Sequence, residues 1–163
     1  MGALPPNPRD IYGDKNSRGC LIGLSSLTME GGRATDAGMI MTFLQVGIGG
    51  AIGAMLRFGT VMAMLRLTGF GFPLGVLSVN VIGSFLMGVF MIYAFQREVE
   101  YMNPFVMSGV LGGFTTFSAF SLEVFTLYER GELALAALYV GLSVGLSLIG
   151  LGLGVMLARG IWA

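Results

Sequence analysis

Beyond residue 41 the chain alternates between long apolar runs and short polar interruptions. The runs cover residues 42–65, 73–95, 104–128 and 133–157. Each is near the ~20 residues that a helix needs to cross a bilayer core. The connections at 66–72, 96–103 and 129–132 carry most of the charge outside the N-terminal region, as interfacial loops do. In lipid, a segment that satisfies its own backbone must be helical or part of a closed barrel. The pattern therefore predicts an all-α integral membrane protein with four transmembrane helices over residues 39–163.

Residues 1–38 break this pattern. They hold Pro5, Pro6 and Pro8, several Gly and Ser, and eight of the eighteen charged residues. That composition predicts a flexible N-terminal tail. Its one apolar run, Cys20–Leu27, is interrupted by Gly23, Ser25 and Ser26, which makes a poor signal peptide. Met39 and Met41 immediately precede the first strong run, so translation is expected to start there rather than at Met1.

Composition narrows the function. The chain is 55% hydrophobic and 11% charged, where a soluble domain carries about 25% charged residues. Acidic and basic residues balance at nine each, leaving no basic patch for nucleic acid. The single cysteine excludes an internal disulfide. There is no histidine, hence neither the commonest general base nor the commonest metal ligand. With no nucleotide-binding loop and no paired carboxylates at membrane depth, an enzyme is not expected.

Orientation is not fixed by charge. Arg97 and Arg159 fall on one side of the membrane, and Arg66 and Arg130 on the other. The Lys/Arg asymmetry of short loops sets insertion, so a balanced chain is expected to insert both ways. Two opposite copies then pair as an antiparallel dual-topology homodimer.

Several residues are candidates for chemistry. Arg57, in the first run, reads as an interfacial anchor or as an electropositive vestibule. Asn80 lies mid-membrane in LGVLSVNVIGSFLMG (74–88), with Gly83 and Ser84 on the same face. It serves either as interhelical glue or as a donor to a pore. The third run, SGVLGGFTTFSAFSLEVF (108–125), is a poor continuous helix, and a break is expected near Gly112–Thr116. Broken backbone at membrane depth must be buried or line a cavity. Its freed carbonyls make a cation site and its freed N–H groups attract an anion. Phe117 and Phe120 share one face after the break, with Ser118 and Ser121 beside them and Glu123 one turn on. Aromatic edges carry the positive end of the ring quadrupole, which suits a small anion. In the fourth run Tyr139, Ser143 and Ser147 form a hydroxyl stripe. Gly141 and Gly145 form a small-xxx-small pair expected to pack helices.

These runs resemble the CrcB/Fluc family of fluoride channels across all four spans. GGFTTFSAFSLE (112–123) is the most specific match, supported by GGAIGAMLRFG (49–59) and PLGVLSVNVIGSFLMG (73–88). Phe114, Ala119 and Val76 are mild departures, and the tail lies outside the resemblance. The resemblance implies a multi-pass protein of the bacterial inner membrane that exports fluoride passively and so reduces its toxicity. It also implies an antiparallel homodimer with two pathways. A structural, non-transported sodium ion would be held by the backbone carbonyls of Gly112 and Thr115. Asn80, Phe117, Phe120, Ser118, Tyr139, Ser143, Ser147, Arg57 and Glu123 correspond to the ion pathway. Two other readings are a proton-coupled small multidrug transporter and a non-conducting membrane assembly subunit. The transporter wants a carboxylate deep in the first helix, and residues 42–65 hold no Asp or Glu.

Overall fold

The computed structural model describes residues 31–69 and 72–162; side chains are described from residue 36. The tail expected over 1–38 lies mostly outside the described residues. Its last part, from Gly31, is already helical, so the first helix begins before the apolar run does. The unit that carries the remaining architecture is Met41–Ala163.

Every described regular element is helical. Helix α1 spans Gly31–Thr68 and α2 spans Leu74–Arg97. A 3-10 turn at Glu100–Met102 leads into α3, which winds as a π-helix over Pro104–Leu111 and ends in one α turn, Gly112–Phe114. Helix α4 spans Phe117–Glu129 and α5 spans Leu133–Trp162. Four stretches are long and apolar enough to cross a membrane: Asp36–Thr68, Leu74–Arg97, Glu100–Glu129 and Leu133–Trp162. They contain three of the four expected runs and extend them by a few residues into the polar margins; the second begins one residue later than expected, after Pro73.

The break falls where helix-poor residues predicted it. Thr115 (φ −76°, ψ 154°) and Thr116 (φ −153°, ψ 124°) are extended. Pro104, with no N–H to lose, opens α3. Gly131 (φ +77°) closes α4 and lets α5 begin two residues later. An exposed Arg130–Glu132 ion pair at 3.0 Å bridges this turn, a contact worth little in water.

Packing is dominated by α2 against α5. The glycines that permit it are Gly88 on α2 and Gly150 and Gly154 on α5. A Cβ at Gly88 would collide with Leu151 O, and one at Gly154 with Phe85 O. Gly141 and Gly145, expected to pack helices, have nothing within 4 Å of where a Cβ would sit. They do not pack within the protomer; helix contact moves one to three turns further along α5. On α1, Gly49 and Gly53 meet the backbone of α3: a Cβ at Gly53 would collide with Val110 O and lie 2.8 Å from Phe114 N. The apolar core joins Val76 and Leu77 of α2, Phe120 and Leu127 of α4, and Ala136 and Tyr139 of α5. It thus lies directly beside the break.

Candidate functional site

The break is held open by a single side chain from another helix. Thr116 N–H donates to Asn80 Oδ1 at 2.8 Å, and Asn80 Nδ2 donates to Thr116 C=O at 3.1 Å. In a continuous helix that N–H would donate to Gly112 C=O, four residues back. Thr116 then caps α4: its Oγ1 accepts from Ala119 N–H at 3.2 Å and shares a hydrogen bond with Ser118 Oγ at 3.1 Å. Ala119 N–H is thereby diverted from Thr115 C=O. The carbonyls of Gly112 and Thr115 each lose their helical donor, so their oxygens are free to meet a hard cation. No cluster of three or more Asp, Glu, His or Cys occurs among the described residues. Backbone carbonyl oxygens are hard ligands of the kind a sodium ion takes, and Gly112 and Thr115 offer two of them.

Beside the break lies a cleft of about 560 Å³. Asn80, Thr115, Thr116, Phe117, Phe120, Ser143 and Ser147 contribute to its wall, with Gly112 at its edge. The structure thus gathers Asn80, the break, both phenylalanines and two of the three stripe hydroxyls. Gly83 makes room: a Cβ there would collide with Thr115 Cγ2. Ser84 and Met87, one and two turns along α2, complete its α2 wall. Ser84 was legible from its spacing to Asn80, whereas the capping role of Thr116 was not.

The hydroxyls divide into two classes. Thr60, Thr68, Thr115, Ser121 and Thr126 each donate to the carbonyl four residues back, at 2.8–3.0 Å. Those hydroxyls are spent on their own helices. Tyr139 Oη, Ser143 Oγ and Ser147 Oγ are buried and make no hydrogen bond of acceptable geometry, although Tyr139 and Ser143 are neighbours. A buried unmet hydroxyl costs about 1–3 kcal/mol, so three in one row at membrane depth call for a ligand.

The rings form a ladder. Phe72 meets Tyr139 edge-on at 5.6 Å, Tyr139 stacks on Phe120 at 5.6 Å, and Phe120 tilts against Phe117 at 5.4 Å. Phe120 is 8% exposed and Phe117 is 78% exposed. The two share a cleft but not an environment. Phe117→Leu is therefore expected to leave the protomer's folding unchanged, whereas Phe120→Leu also removes the stack on Tyr139 and lowers thermal stability. Each ring contact is worth about 1 kcal/mol. Melting curves on both variants check this split.

The other candidates lie apart. Ser118 is tied to the cap of α4. Arg57 is half-buried on α1, outside this cleft. Glu123 lines a second cleft of about 280 Å³ with Thr68, Phe72, Thr126 and Arg130. Tyr139 stands between the two clefts: it is fully buried, its ring touches Phe72 of one and Phe120 of the other.

Residues 44–155 match the family model described as CrcB-like protein, Camphor Resistance (CrcB). A protein of Ruegeria sp. is 56% identical over 124 residues, covering 76% of this chain and 98% of that one. A protein of Cereibacter sphaeroides is 57% identical over 122 residues, covering 75% and 98%. One of Rhizobium etli is 47% identical over 125 residues, covering 74% and 98%. All three bear the name "Fluoride-specific ion channel FluC".

Proposed function

Because this chain belongs to the CrcB-like family, we propose that it is a fluoride-specific ion channel of the bacterial membrane. The observation that carries the reading is the row of buried, unmet hydroxyls at Tyr139, Ser143 and Ser147. Fluoride is small and strongly hydrated, so a pore must replace its water with hydrogen-bond donors. Hydroxyls and a carboxamide supply donors without a fixed positive charge. Conduction needs binding good enough to enter and weak enough to leave. A lysine or arginine at the cleft would hold the ion too long, and the cleft contains neither. The ring edges of Phe117 and Phe120 add weak positive potential along the same wall.

Export needs no fuel. An inside-negative potential acts on a monovalent anion with about 2.3 kcal/mol per 100 mV, which sustains a concentration ratio of about 50 at equilibrium. Bacteria lacking their own fluoride exporter regain growth in fluoride when this chain is expressed, if the reading is right. Growth no better than that of the empty-vector control overturns it.

The working unit is an antiparallel pair of oppositely inserted copies. What supports this is that the cleft of one protomer is open and that Phe117 and Gly112 are exposed. Polar backbone at membrane depth must be covered by protein. The balanced arginines let the chain insert both ways. Reporters for the two sides of the membrane, fused in turn to the C-terminus, are expected to give comparable signals. A signal from one side alone contradicts dual topology.

The carbonyls of Gly112 and Thr115 would hold a sodium ion, which when bound would supply positive charge to offset their dipoles.

A further inference from the structure

We infer that Asn80 is a positioning residue that couples the fluoride pathway to the cation site: its carboxamide, by clamping Thr116, frees the carbonyls of Gly112 and Thr115. The inference rests on the sodium reading above and goes beyond it, because it assigns the making of that site to a side chain that would not touch the cation.

The hydrogen bonds carry it. A carboxamide has one acceptor oxygen and two N–H donors. Asn80 spends the oxygen on Thr116 N–H at 2.8 Å and one donor on Thr116 C=O at 3.1 Å. Both go to one peptide-bearing residue 36 positions away. One N–H remains, and Asn80 lines the cleft with Ser143 and Ser147. The same side chain therefore holds the break with two groups and offers the ion the third.

Without the clamp, the acceptor that a continuous α-helix gives Thr116 N–H is Gly112 C=O. Closing that bond restores a helical turn and withdraws the Gly112 oxygen. The extended backbone of Thr116 then loses its support. The Thr116 Oγ1 cap on Ala119 N–H, which diverts the Thr115 donor, loses its position with it. Gly83 has the same dependence from below, since Thr115 Cγ2 occupies the space its missing Cβ leaves. Loss of Asn80 is thus expected to remove a cation response, beyond the loss of one pore donor.

The test separates these roles by a readout other than flux. The purified full chain in detergent is melted in sodium and in a large organic cation, N-methylglucamine. Wild type and Ser147→Ala, which lacks a cleft donor and keeps the clamp, are expected to melt several degrees higher in sodium. Asn80→Ala is expected to show no sodium-dependent shift. Asn80→Asp tests the same point in a chain of unchanged shape. At a pH below the usual carboxylate range of about 4, where the acid is neutral, it accepts from Thr116 N–H and donates its O–H to Thr116 C=O, so the sodium shift measured there is retained. It has no third donor for the ion, and fluoride flux falls about tenfold or more. A sodium shift that persists in Asn80→Ala, or vanishes in folded Asn80→Asp, overturns the coupling while leaving the sodium reading intact. No shift in wild type overturns the sodium reading and the coupling with it.

Discussion

Gly154→Val is expected to lower the yield of folded protein sharply. Gly154 lies where α5 crosses α2, and a Cβ there would collide with Phe85 O and lie 3.1 Å from both Phe85 C and Val89 N. All three atoms are helix backbone, which cannot swing aside as a side chain can. Gly88 presses the other way, its absent Cβ facing Leu151 O and, at 3.0 Å, Val155 N. In a membrane no hydrophobic force holds helices together, and close backbone approach supplies the packing instead. Overpacking a well-fitted contact costs about 1–3 kcal/mol, and a branched side chain wedged between two backbones falls at or beyond the upper end. That is a large share of a marginal stability of about 5–15 kcal/mol, and it falls on the two helices that pack most extensively. The check is the yield of a monodisperse peak on size exclusion. Gly152→Val on the same helix, where nothing lies within 4 Å, is expected to retain it.

Ser143→Ala with Ser147→Ala is expected to do the reverse, preserving the fold and abolishing transport. Ser147 Oγ has no hydrogen-bond partner within the protomer, and Ser143 Oγ has only its neighbour Tyr139 close by, without acceptable geometry, so removing the two hydroxyls costs little internal bonding. Folding yield should hold or rise. For a dehydrated fluoride each hydroxyl is a charged hydrogen bond worth about 1.5–3 kcal/mol. Losing two raises the barrier by about 3–6 kcal/mol, which slows flux by roughly two to four orders of magnitude. Efflux measured at matched protein density decides the matter: flux within twofold of wild type shows the stripe to be incidental.

The four spans could be read from the sequence because run length and composition are local properties, and lipid leaves helices few alternatives. The break at Thr115–Thr116 was legible for a similar reason, since Gly112, Gly113 and two threonines are weak helix formers wherever they occur. Asn80 was recognisable as polar and mid-membrane, but its bonds to Thr116 cross 36 residues and exist only once α2 lies against the break. Gly141 and Gly145 have no neighbour within the protomer: spacing alone cannot tell which glycine pair of α5 meets another helix, and the pair that does, Gly150 and Gly154, is set by the path of α2. Residues 31–38 look polar and loop-like in sequence, yet from Gly31 they are continuous with the helix of the apolar run that follows.

Reconstituting the purified chain alone into liposomes loaded with fluoride, and in parallel with chloride, tests the central claim most directly. Rapid fluoride efflux, with chloride retained, is the result expected of unmet hydroxyls built to replace the water of a small anion. Equal efflux of both ions, or none of either from dimeric protein, would contradict it.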